Sequence, residues 1–148
     1  MSGASPEAQG RPLLLDTHTW IWLADGNRKL GESSKEAIRS AYRESMAIVS
    51  AITPWEIALL VSKGRVTLEQ DVLGWIRASL AIPGLRLVLL EPEIAVASTR
   101  FPFEMHADSA DRILVATARH LGATLVTADR ALLELAKSGH FRAMDAGL

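Results

Sequence analysis

The sequence predicts an α/β fold, a parallel sheet with helices on both faces, and three observations carry that prediction. Short apolar runs alternate with helix-length amphipathic segments along the chain, glycines stand where helices should stop, and no internal repeat or low-complexity tract interrupts the pattern. Leu13–Asp16 is the first strand-sized run, followed by Met46–Ser50, Leu85–Leu90, Thr124–Thr127 and Phe141–Met144. A helix containing Trp20-Ile21-Trp22-Leu23 follows the first run. Further helices are expected over Ser33–Arg43, Pro54–Lys63, Leu68–Leu80, Pro92–Thr99, Ala107–Leu121 and Arg130–Lys137. Gly64 and Gly122 fall at two helix ends, where a residue able to take positive φ is favoured.

Size and composition exclude several function classes. A chain of 148 residues with 49% hydrophobic and 22% charged residues can build one core without metal or disulfide staples. One domain is expected over residues 13–148, with residues 1–12 as a mobile tail lacking the apolar stretch of a secretory signal. The absence of Cys removes disulfides, thiolate zinc sites and cysteine nucleophiles, and fits a reducing, cytoplasmic setting. No apolar run reaches the roughly 18–20 residues of a membrane span. The formal charge of −1 argues against nonspecific polyanion binding. Committing four acids to a metal would still leave 16 basic against 13 acidic residues, enough for a local basic rim.

The expected topology makes a chemical prediction. In a parallel sheet every strand-to-helix junction lies on the carboxyl edge, so residues distant in sequence converge there. Asp16 ends the Leu13-Leu14-Leu15 run, Glu56 follows Ile48-Val49-Ser50 through a short connection, and Asp129 follows Thr124–Thr127. Asp111 opens the helix Asp111-Arg112-Ile113-Leu114-Val115-Ala116, which is apolar almost all round and so expected to be buried. Each acid also has a purely local explanation. Thr53-Pro54-Trp55-Glu56 is a capping-box pattern with Pro at the first helical position. Asp129 and Asp108 are well placed as N-caps, with Asp111 then favouring the positive end of the helix dipole. Asp16 resists that explanation, because a charge ending a buried strand needs a partner or a metal.

Clustered carboxylates raise each other's pKa unless a cation holds them. Oxygen ligands, no Cys and no paired His spacing among His18, His106, His120 and His140 point to Mg²⁺ or Mn²⁺ rather than Zn²⁺. His106 stands out only because it precedes the Asp108–Asp111 stretch. Dinucleotide and P-loop glycine motifs are absent, as is a Gly-x-Ser-x-Gly elbow. Asp16-Thr17-His18-Thr19 has the look of an aspartyl-phosphate enzyme, but His18 occupies the place of the second Asp such enzymes need.

Four segments, taken in order, resemble the PIN-domain ribonucleases, and most closely the VapC-type toxins of bacterial toxin–antitoxin pairs. They are Leu14-Leu15-Asp16-Thr17-His18-Thr19-Trp20, Pro54-Trp55-Glu56-Ile57, the run from His106 through Asp108 and Asp111 to Ala118, and Leu125-Val126-Thr127-Ala128-Asp129. The resemblance spans Leu13 to Met144. It implies a PIN-like three-layer sandwich with a central parallel sheet. It also implies Mg²⁺-dependent cleavage of single-stranded RNA, with Mn²⁺ as a substitute ion, a homodimer and a cognate antitoxin. Asp16, Glu56, Asp111 and Asp129 match the acidic quartet, Asp108 a less central acid, and Thr127 a hydroxyl beside the site. Asp16 and Asp111 would hold the ion, with Glu56 and Asp129 reaching it directly or through water. The chain departs from the common pattern in having Ser109 where members often carry Pro after the Asp; Pro there only preorganises a helical turn, so little chemical effect is expected.

Arg112, Lys63 and Arg65 are the candidate phosphate contacts. An i,i+4 ion pair with Asp108 explains Arg112 equally well, and the dipole at a helix C-terminus explains Lys63. The four Trp divide between core packing and a partner surface. Two rival functions remain at this level. One is a non-catalytic RNA-binding or scaffold domain of the same fold, which would be expected to have lost some of the acids. The other is a phosphatase-like enzyme using Asp16 as nucleophile.

Overall fold

The computed structural model describes residues 10–148; residues 1–9, most of the expected tail, lie outside the described residues. Five parallel strands form one sheet: β1 (Leu13–Leu15), β2 (Ala47–Ser50), β3 (Leu85–Val88), β4 (Thr124–Thr127) and β5 (Arg142–Asp145). The helices are α1 (Thr17–Asp25), α2 (Glu32–Arg43), α3 (Ile52–Ser62), α4 (Val72–Leu80), α5 (Pro92–Ala97), α6 (Ser109–Leu121) and α7 (Arg130–Ala136). The strand order is β3-β2-β1-β4-β5. The chain therefore winds outward from β1 through β2 to β3, crosses back, and winds out the other way through β4 and β5. The reversal lies between β1 and β4, the place where an open α/β sheet leaves a crevice at its carboxyl edge.

Alternation along the strands divides the core into two layers. Leu14, Ile48 and Leu125 face α5, α6 and α7 through Ile94, Leu114, Val115 and Leu132. Leu15, Val49 and Val126 face α1 to α4 through Trp20, Ile38, Ile57, Trp75 and Ile76. In register, Leu14 pairs with both Ile48 and Leu125, and Leu15 with Val126, so the three central strands present matched apolar rows to each helix layer. The result is the expected three-layer sandwich.

Element ends differ from expectation where capping overrides hydrophobicity. Helix α4 begins at Val72 rather than Leu68 because Asp71 accepts a hydrogen bond from Leu73 N at 3.1 Å and caps it there. Strand β3 stops at Val88, leaving Leu89 and Leu90 exposed. Helix α6 starts at Ser109, one residue after its cap Asp108. Gly84, at φ +96°, packs against the Tyr42 carbonyl so closely that a Cβ would lie 2.0 Å from its oxygen, so glycine is required where β3 is entered.

Candidate active site

The capping and site explanations coincide for Asp16, Asp108 and Asp129. Asp16 is the N-cap of α1, its Oδ1 accepting from Thr19 N at 2.8 Å. Asp108 caps α6 through Asp111 N at 2.9 Å, and Asp129 caps α7 through Leu132 N at 3.1 Å. The sheet places the Asp16 and Asp129 caps at the ends of adjacent strands β1 and β4, on either side of the crevice. The hydrogen bonds that start the helices thus hold the carboxylates at the sheet edge.

Glu56 corrects the capping-box expectation. Helix α3 begins at Ile52, with Ala51 as its cap position and no side-chain capping bond. The Ser50 hydroxyl instead accepts from Ile52 N at 3.1 Å. Thr53 therefore lies inside the first turn, fully buried with its hydroxyl unpartnered, and Pro54 is tolerated because first-turn N–H groups have no intrahelical acceptor. Freed from capping, the Glu56 carboxylate accepts a hydrogen bond from the Thr17 hydroxyl across to α1. The Thr127 hydroxyl likewise donates to Asp16 Oδ2, while Thr127 Oγ1 itself accepts from Asp129 N at 3.1 Å. Thr19, also buried, ties α1 to β4 by donating to the Val126 carbonyl at 2.8 Å. Thr17 and Thr19 were not singled out from sequence; two hydroxyls flanking His18 directly after a strand-ending Asp are the signal that was there to read.

Asp16, Glu56, Asp108, Asp111 and Asp129 all line one cavity of about 360 Å³, with Trp22 and Leu114 in its wall. Asp16 is only 8% exposed. The carboxyl of Asp111 is pushed up to about 7, first by burial and then by the negative charges of Asp108, Asp129, Glu56 and Asp16. His106 Nε2 lies 3.4 Å from Asp111 Oδ2, bringing an imidazole to the rim of the cluster. This is an oxygen-only donor set with more negative charge than the protein balances locally, the electrostatic condition a hard divalent cation relieves.

The basic candidates separate. Arg112 makes neither the Asp108 ion pair nor an open phosphate contact. Its guanidinium donates to the carbonyls of Ser98 (2.7 Å), Met105 (3.0 Å) and His106 (3.1 Å) and stacks over Phe101, pinning the segment between α5 and α6. Lys63 and Arg65 are exposed and line a neighbouring cavity of about 270 Å³ that shares Glu56 and Asp108 with the acidic one. Gly64 between them, at φ +71°, turns the chain at the end of α3.

Residues 13–138 match the family described as PIN domain. The chain is 35% identical over 120 residues to Ribonuclease VapC22 of Mycobacterium tuberculosis, covering 81% of this chain and 88% of that protein. Among solved structures, FitAcB from Neisseria gonorrhoeae superposes with a TM-score of 0.59 at 22% identity, covering 90% of this chain and 97% of the other. A structure described as FitAB bound to an IR36 DNA fragment superposes with a TM-score of 0.56 at 18% identity, covering 92% and 96%. The two solved structures share the fold of this chain.

Proposed function

Since the chain belongs to the PIN-domain family, among its VapC-type ribonucleases, we propose that it is a divalent-metal-dependent endoribonuclease acting on single-stranded RNA, the toxin of a toxin–antitoxin pair. The observation that carries the reading is the meeting of five carboxylates in one cavity at the reversal point of the sheet, with Asp111 held near 7.

Asp16 and Asp111 would hold Mg²⁺ or Mn²⁺, with Glu56 and Asp129 reaching it directly or through water and Asp108 at the margin. Among the described residues no three acids or histidines close on a single point by themselves. A small ion that keeps several waters and takes one or two carboxylates suits such a spread. When bound, the cation supplies positive charge that neutralises the phosphodiester and acidifies water for attack. The protein's own part is orientation. Thr19 N and the Thr127 hydroxyl fix both oxygens of Asp16, and Thr17 holds Glu56 toward the cavity. The phosphatase-like alternative lacks the second Asp its chemistry needs, since His18 stands in that place beside Asp16. The recessed cavity favours a bent single strand, whose backbone can approach the carboxylates, over a stacked duplex. Lys63 and Arg65 then meet the flanking phosphates. A homodimer, a cognate antitoxin and a cytoplasmic setting complete the proposal. No helix of the described residues is long and apolar enough to cross a membrane.

The test is cleavage of a labelled single-stranded oligoribonucleotide and of its duplex by purified protein, with Mg²⁺ or Mn²⁺ and with EDTA. Metal-dependent cutting of the single strand, lost in Asp16→Asn, supports the reading. Equal turnover in EDTA, or none under any condition, refutes it.

A further inference from the structure

Helix α3 is apolar on nearly every side, yet Ile57 and Thr53 alone are fully buried, and Trp55 in its first turn is 53% exposed. The other indoles are accounted for differently. Trp20 and Trp75 pack edge to face in the core at 5.2 Å, and Trp22 is partly buried in the wall of the acidic cavity. An indole left half in water forgoes burial of a large apolar surface. Its surroundings are chemically specific. Trp55 lines the 270 Å³ cavity together with Lys63 and Arg65 from the end of α3, Glu56, and Asp108 and Ser109 at the start of α6. Among the described residues neither Lys63 nor Arg65 forms an ion pair, although both line a cavity with Glu56 and Asp108.

We propose that Trp55 is a stacking platform for one unpaired nucleobase of the RNA, seated between the Lys63/Arg65 pair and the carboxylates, so that the adjoining phosphate is delivered to Glu56 and the acidic cavity. The inference rests on the nuclease reading and adds to it the element that captures the base. Three features favour a base over a second protein copy. An exposed indole offers a π-face that any base can stack on. Two unpaired cations beside it match the phosphates that flank a base. The cavity adjoins the acidic one, Glu56 and Asp108 lining both. Because Trp55 and Glu56 line the same cavity, a base held on the indole fixes its own phosphate next to a proposed ligand. Trp55 is thus a positioning residue, acting on binding and register rather than on the reacting atoms.

The experiment measures steady-state cleavage of a single-stranded oligoribonucleotide with Mn²⁺ by wild type, Trp55→Ala, Trp55→Leu and Trp55→Phe, alongside a substrate set in which one abasic residue is stepped past the cleavage position. Trp55→Ala and Trp55→Leu should raise KM about tenfold with kcat changed less than about twofold, and Trp55→Phe should recover KM to within about threefold of wild type. One abasic position should weaken wild type by about the same factor and leave Trp55→Ala unaffected. Wild-type KM in Trp55→Ala, equal abasic penalties in both proteins, or a lower sedimentation mass in Trp55→Ala, the sign that a second copy covers the indole, would each overturn the proposal. If wild type cleaves nothing, the nuclease reading fails separately, and indole fluorescence in EDTA decides the stacking claim. Quenching by the oligonucleotide that disappears in Trp55→Phe supports the platform, and no quenching in wild type overturns it.

Discussion

Thr127, at the end of β4, donates its hydroxyl to the carboxylate of Asp16, at the end of the adjacent parallel strand β1. Thr127 Oγ1 in turn accepts from the backbone N–H of Asp129. One buried hydroxyl therefore positions two acids on opposite sides of the crevice, and strand register turns into site geometry.

Replacing Thr127 with Val should remove both bonds while keeping shape. A buried carboxylate that loses a donor costs about 1–3 kcal/mol. Urea unfolding should show that loss in Thr127→Val and near-wild-type stability in Thr127→Ser, with cleavage falling in the same order. Equal stability of the Val variant would show that the bond has no net worth.

Glu56→Gln separates site from cap. Because Ala51, not Thr53, occupies the cap position of α3, no capping energy is tied to Glu56. The variant should lose RNA cleavage while its unfolding free energy stays within about 0.5 kcal/mol of wild type, as for most changes outside a packed or capping position. A loss near 1 kcal/mol with retained activity would restore the capping box.

The raised pKa of Asp111 gives metal-free protein a pH signature. Unfolded, this carboxyl releases its proton near 3.8; folded, it keeps it to about 7. Between those values the native state holds the extra proton, so stability falls as pH rises from about 4 to about 7 and levels off above. Thermal melts in EDTA should show this decline in wild type and a shallower one in Asp111→Asn. Identical slopes would mean that Asp111 titrates normally.

Arg112→Lys should loosen the connection between α5 and α6, because one ammonium cannot reproduce a guanidinium shared among the carbonyls of Ser98, Met105 and His106. Hydrogen exchange should accelerate around Phe101 to His106 in the variant. Unchanged exchange there, with weakened RNA binding, would return Arg112 to the role of phosphate contact.

Much of this architecture was legible in the chain. The apolar runs around Leu14, Ile48 and Leu125 became the buried central strands, which need continuous hydrophobicity, and the runs around Leu87 and Ala143 became half-buried edge strands. Asp16 and Asp129 were legible as neighbours at the carboxyl edge because each directly follows a parallel strand, whereas Asp111 follows no strand and only packing brings it to that edge. Strand order was not, since β3 and β5 carry similar patterns and only packing decides which side of β1 each takes. The start of α3 was misjudged because Thr53-Pro54-Trp55-Glu56 satisfies a local rule that the Ser50 hydroxyl overrides two residues earlier. The direction of Arg112 was hidden for a related reason. Its acceptors are carbonyls of a loop whose path depends on tertiary packing, whereas Asp108 is simply nearer in sequence. The same holds for the tryptophans, where identical side chains end in the core at Trp20 and in solvent at Trp55.

We propose that Asp16 and Asp111 jointly hold one divalent cation in the folded protein. A cation that binds only the native state must raise its stability in proportion to occupancy. The direct measurement is the melting temperature of wild type and of Asp16→Asn/Asp111→Asn across a Mn²⁺ titration at fixed pH. Wild type should show a saturable rise and the double variant none; a rise of equal size and midpoint in both would contradict the shared site.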